Sequence, residues 1–206
     1  MEILKKGIIA TAILFQTSAL FAQNEAALQS VFRESYTLEY SKKYNEAIAL
    51  LNKNYSDKSY EVNIRLAWLY YSNKNYTQSQ VYYQNAVALK PYSVEAKLGL
   101  VKALAALELW DKVMTEYEEI LKIDPQNYTA NYWAGVLQYN RKKYEAASLY
   151  FEKLVNLYPF DYDANHMMAW TCLNLGRSAD ARLLFNKALL IHPSDASSLD
   201  GLSRLK

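Results

Sequence analysis

Residues 60–93 read YEVNIRLAWLYYSNKNYTQSQVYYQNAVALKPYS, and this stretch sets the frame for the rest of the chain. Its Pro91 belongs to a series of four, Pro91, Pro125, Pro159 and Pro193, set at a constant 34-residue spacing. No other proline occurs. A helix interior cannot take Pro without losing a hydrogen bond, so the four mark one inter-helix boundary repeated. Cut into 34-residue blocks at Tyr60, Val94, Tyr128 and Tyr162, the chain then agrees with itself column by column. Column 8 holds Ala67, Val101, Gly135 and Ala169, and column 20 holds Ser79, Val113, Ala147 and Ala181. Column 24 holds Tyr83, Tyr117, Phe151 and Phe185.

Columns 4, 7, 8 and 11 recur at helical spacing, as do 17, 20, 24 and 27, so each block reads as two amphipathic helices. Small side chains in columns 8 and 20 let the two helices approach, and large ones in columns 7 and 24 fill the gap. One hairpin cannot bury its apolar face alone, so neighbours must stack. A weaker repeat precedes Tyr60, with Tyr44, Ala47 and Leu51 in columns 17, 20 and 24. It runs two residues short and lacks the closing Pro. The third repeat puts Val101, Val113 and Ile120 where smaller residues are usual, a volume that Gly99, Ala103, Ala105 and Ala106 can absorb. Gln138, in column 11 of the fourth, reads as a hydrogen-bonded core amide.

These blocks resemble the tetratricopeptide repeats (TPR), a family with a 34-residue helix–turn–helix unit. The resemblance implies an all-α fold, a right-handed α-solenoid of about five repeats at 28–59, 60–93, 94–127, 128–161 and 162–195. Residues 196–206 read as a short polar cap on the last repeat. Together these make residues 23–206 one TPR domain.

Only five Gly and four Pro in 206 residues argue against a turn-rich β-sandwich. Hydrophobic residues at 51% argue against disorder, and a formal net charge of +2 is too balanced for a basic nucleic-acid binder. One Cys excludes an internal disulfide framework. Lys5 and Lys6 precede an uncharged run, GIIATAILFQTSALFA from Gly7 to Ala22, followed by polar Gln23. As a helix that run spans roughly 24 Å, short of the ~30 Å hydrocarbon core. Basic flank, short apolar run and small boundary residue describe a signal peptide over 1–22. The expectation is an exported chain, periplasmic or secreted, beginning at Gln23 with no transmembrane segment left.

Catalytic motifs are missing from the sequence: no G-x-x-x-x-G-K-[ST], no G-x-S-x-G and no H-E-x-x-H. His166 and His192 lie on different helices with no Cys nearby, which disfavours a metal site. Cys172 falls in a packing column and reads as a buried hydrophobe. No cofactor is expected, and the chain is not expected to be an enzyme. Lys42, Lys43, Lys74, Arg141, Lys142, Lys143 and Arg177 gather at the turns within repeats, where cations complement the dipole of the first helix.

In the TPR family the first helix of each repeat lines the inner groove, chiefly through columns 2, 5, 9, 12 and 13. Carried onto this chain, those columns give Phe32, Tyr36 and Tyr40 in the first repeat and Ile64, Trp68 and Tyr71 in the second. Lys102 comes from the third, Tyr132 and Tyr139 from the fourth, and His166 and Trp170 from the fifth. The Lys and Asn clamp with which some TPR domains grip a peptide carboxylate is missing from these columns. Aromatic rings give large contact area at low entropy cost. The expectation is therefore a non-enzymatic scaffold holding a protein or peptide in an aromatic groove, in envelope assembly or chaperoning. Two alternatives stay open: an oligosaccharide-binding module, since Trp and Tyr faces stack on sugar rings, and a self-assembling homo-oligomer. Nucleic acid is not an expected partner.

Overall fold

The computed structural model describes residues 25–53 and 55–205, so the expected signal peptide lies outside the described residues. The described residues are all-helical: α1 over 25–40, α2 Tyr44–Lys53, α3 Tyr60–Ser72, α4 Tyr76–Leu89, α5 Val94–Ala106 and α6 Trp110–Ile123. Then come α7 Tyr128–Asn140, α8 Tyr144–Leu157, α9 Tyr162–Asn174, α10 Ser178–Ile191 and α11 Ala196–Ser203. The architecture is that of an α-solenoid built from helical hairpins. The chain divides into two compact units at a repeat boundary, one ending at Pro91 and the other starting at Tyr92.

From α3 onward, each odd-numbered helix is started by a side-chain cap in column 34. Ser59 and Ser93 accept from the backbone N–H three positions on at 3.2 and 3.1 Å, and Asn127, Asp161 and Asp195 do so at 3.0, 2.8 and 2.7 Å. Each hairpin then turns through a Schellman-type closure. In the second repeat Asn75 N–H reaches Tyr70 O at 2.8 Å and Lys74 N–H reaches Tyr71 O at 2.9 Å. One turn residue is left-handed in every repeat: Lys42, Lys74, Glu108 and Lys142 at φ 58 to 61°, and Gly176 at 73°. Only Gly176 has the residue type that the conformation favours. Lys142→Gly is therefore expected to stabilise its unit by about 1 kcal/mol, read as a rise in thermal midpoint. Gly176→Lys should lower the midpoint by a similar amount.

Packing within each unit follows the columns. In the first unit Ala47, Ile48, Leu51, Val62, Leu66 and Leu69 form a core, with Leu28, Val31 and Phe32 packed against it. In the second unit Ala147, Phe151, Met168, Ala169, Cys172, Ala181 and Phe185 do the same. The small side chains of columns 8 and 20 meet as expected, and Ser79 Oγ donates to Ala67 O at 2.8 Å. Val101, Val113 and Ile120 are buried in the third repeat, so its larger side chains are accommodated.

Column 4 corrects the sequence reading. It is not part of an apolar stripe: Asn63, Asn131 and Asn165 stand there, fully buried. Each amide donates to two backbone carbonyls just upstream, those of Ser59 and Asp57 in the case of Asn63. Asn131 Nδ2 bonds Asn127 O at 2.8 Å and Pro125 O at 3.1 Å, and Asn165 bonds Asp161 O and Pro159 O at 2.6 and 3.2 Å. In these two repeats the proline that ends one is tied to the helix that begins the next. Asn131→Ala removes both donors and is expected to cost about 2 kcal/mol, with fast amide exchange at residues 125–131 as the local signature.

Gln138 is also corrected. Its Oε1 is buried but accepts no hydrogen bond from the described residues, so the amide is not the satisfied core group expected. Cys172 is fully buried, and burial pushes its thiol up from the ordinary range, consistent with an inert packing residue.

Candidate binding surface

In the first unit, several candidate residues gather around one buried arginine. Arg65 of α3 is 4% exposed. Its Nε donates to Ser35 Oγ at 3.0 Å, and its Nη1 forms a short ion pair with Glu39 of α1. The guanidinium also lies 3.8 Å from the centre of the Tyr36 ring. Glu39 takes a second donor, Trp68 Nε1 at 2.6 Å, so one carboxylate fixes both Arg65 and Trp68. Tyr71 stacks on Trp68 with ring centres 6.0 Å apart. Tyr36 is 52% exposed and Tyr40, at the end of α1, is 94% exposed. Ile64 is half-buried, and Phe32 packs against the core. Glu39 and Arg65 were absent from the sequence-derived set, because a single ion pair between neighbouring repeats leaves no mark on a 34-residue period.

In the second unit the candidates stand differently. Tyr132 packs against the core, edge-on to Phe151 and to the half-exposed Trp133. Tyr139 lies edge-on to Tyr144 at 5.3 Å and its oxygen accepts from Asn174 Nδ2 at 3.0 Å. Lys102 is exposed on α5. Trp133, which follows a groove column, was also missed.

Trp170 and His166 face the C-terminal helix. Trp170 Nε1 donates to Ser197 Oγ at 3.1 Å and lies 3.2 Å from His166 Nε2, while its ring sits edge-on to Phe185 at 5.2 Å. His166 Nε2 is 2.8 Å from Ser197 Oγ and 3.9 Å from Asp195, the α11 cap, and its ring stacks on Tyr162. Burial foremost, and the neighbouring Asp195 with it, pushes the Tyr162 phenol up to about 12. One repeat earlier Tyr128 donates to Asp161 at 2.7 Å.

Burial lowers the His166 pKa, and the nearby Asp195 and Asp163 oppose that only in part. The unfolded chain therefore binds more protons than the folded one below about pH 6.5, and stability declines as pH falls from there. His166→Gln is expected to flatten the stability profile between pH 7 and pH 5, measured by thermal unfolding across that range.

No group of three or more potential metal ligands occurs among the described residues, and no helix among them is long and apolar enough to cross a membrane. Several of the turn cations are paired locally: Lys43 with Glu46, Arg177 with Asp180, and Arg141 with Asp111 at 2.7 Å.

Three family models, each described as tetratricopeptide repeat, match residues 71–139, 129–161 and 150–183. The chain belongs to the tetratricopeptide repeat family. Solved TPR structures share its fold. A TPR protein from Parabacteroides merdae superposes with a TM-score of 0.73 at 16% identity, over 86% of this chain and 71% of that one. MamA gives a TM-score of 0.69 at 17% identity, over 81% and 92%. YrrB, described as a TPR protein with an unusual peptide-binding site, gives 0.68 at 15% identity, over 84% and 90%. No curated protein matches the sequence. At these identities the likeness concerns the TPR fold.

Proposed function

We propose that this chain is a non-enzymatic scaffold that holds a polypeptide partner against aromatic surfaces of its first helices. The observation that carries the reading is the first-unit cluster. Tyr36 and Tyr40 stand open to solvent, and Glu39 and Arg65 fix Trp68 and Tyr36 from behind. Rings held in place lose little entropy on contact, which is what a binding hot spot requires. The peptide-binding site described for YrrB, a protein of the same fold, supports a peptide as the occupant. In the second unit Tyr132, Tyr139 and Lys102 are the candidate contacts, and His166 and Trp170 contribute through their seat under α11.

The proposal extends to place. The apolar run from Gly7 to Ala22 after Lys5 and Lys6 supports export to the periplasm or beyond, with service in envelope assembly or chaperoning.

A photo-crosslinking residue at Tyr40 tests the binding surface, with one at Leu149 on α8 as control. Polypeptide adducts at Tyr40, lost in Tyr36→Ala, are expected. Adducts equal at both positions, or none at Tyr40, would overturn the reading. Intact-mass measurement of the exported chain should begin at Gln23, and retention of residues 1–22 would refute cleavage.

A further inference from the structure

The third repeat breaks its own pattern at the turn between α5 and α6. In the second and fourth repeats an aromatic pair closes that turn: Tyr71 against Tyr76 at 5.5 Å, and Tyr139 against Tyr144 at 5.3 Å. The third repeat has Ala105 in the first of these columns and Trp110 in the second. Among the described residues Trp110 has no ring partner and its indole N–H makes no hydrogen bond; the side chain is 47% exposed. Column 16 holds Lys43, Asn75, Lys143 and Arg177 in the other repeats, but here it holds Leu109, 37% exposed. An apolar pair has replaced polar and self-satisfied groups at one turn only.

Beside that turn lies an open recess of about 740 Å³, bounded by the 108–112 segment and the end of α7. This is within the ~300–1,000 Å³ range of small-ligand sites. Leu137 extends the apolar floor, and the rim is polar. Asp111 and Arg141 bridge at 2.7 Å, with the Asp111 side chain 96% exposed and able to accept more. Glu108, Lys112 and Asn140 also line the recess. Two acids and two bases leave the rim without net charge, which selects against a strongly ionic ligand. The rim supplies both donors and acceptors around a flat indole face.

We infer that this recess is a binding site for a neutral oligosaccharide, one pyranose ring stacked on Trp110 and its hydroxyls bonded to Asp111, Asn140 and Arg141. A pyranose presents an apolar C–H face beneath a rim of hydroxyls that both donate and accept, matching the floor and rim. None of the residues lining the recess is among the candidate contacts of the proposed scaffold.

The test uses the intact chain labelled with nitrogen-15. Its four Trp give four indole N–H resonances. The probes are neutral tri- and tetrasaccharides of glucose, mannose, galactose and N-acetylglucosamine, titrated to 10 mM. At least one is expected to shift the Trp110 resonance selectively and saturably. Trp110→Ala should weaken that sugar at least tenfold, and Asp111→Asn should also weaken it. Both variants should leave the melting temperature within a few degrees of the parent. Trp68→Ala should bind the sugar unchanged, which separates this site from the scaffold surface. Absence of a saturable Trp110 shift with every sugar would overturn the inference, as would a shift caused by peptides and by no sugar.

Discussion

Glu39→Ala is expected to destabilise the unit ending at Pro91 by about 3 kcal/mol. The reason is the charge left behind. Arg65 is almost wholly buried, and one of its terminal nitrogens, Nη2, already has no hydrogen-bond partner among the described residues. Removing Glu39 takes away the carboxylate paired with Arg65, together with the acceptor of Trp68 Nε1. Replacing both partners by apolar side chains should be far milder, because a buried pair costs desolvation on both sides. Arg65→Met in the Glu39→Ala background is therefore expected to recover most of the loss. Denaturant unfolding of the parent and both variants measures this, with amide exchange in α3 as the local report. A loss under about 1 kcal/mol for Glu39→Ala would place the pair among weak surface bridges.

The second large effect is expected at Gly201. A β-carbon built there would lie 2.2 Å from Phe185 Cζ and within 2.6 Å of two further ring atoms. Phe185 is fully buried and held by Trp170, so the ring has nowhere to go. Gly201→Ala is expected to cost about 3 kcal/mol, at the upper end of overpacking, and to lift α11 from the last repeat. The Trp170–Ser197 bond would go with it, so a red-shifted indole emission should accompany the lost stability. Phe185→Leu should relieve the clash and restore part of the loss in the double variant. Gly135 tells the same story more gently, its added carbon 2.7 Å from Phe151.

The helices were legible because the 34-residue spacing of Pro91 through Pro193 fixes where each hairpin ends, and columns 8, 20 and 24 fix which faces meet. A helix after Pro193 was legible too, from the polar run that follows the last proline. Column 4 was not. Asn63, Asn131 and Asn165 occupy a position whose helical phase is apolar, and only the folded chain brings the upstream carbonyls within reach. Periodicity reports which face a residue takes but is silent on the bonds it makes there. The same limit hid the arginine cluster, where Glu39, Arg65 and Trp68 act together through bonds that no column records. It also hid the recess at Trp110, which depends on Ala105 leaving a ring unpaired.

The bond from Tyr128 to Asp161, with Tyr162 and its neighbour Asp195 in the same columns one repeat on, carries a consequence for descent. Donor and acceptor are the first and last residues of one 34-residue segment. A tandem duplication of that segment copies the phenol with the carboxylate it needs, and places the new carboxylate at the start of the helix that follows. An array of this kind can gain or lose members without inventing a partner at the seam. Lengthening the lineage is then limited by what the chain must bind, because the joints come ready made.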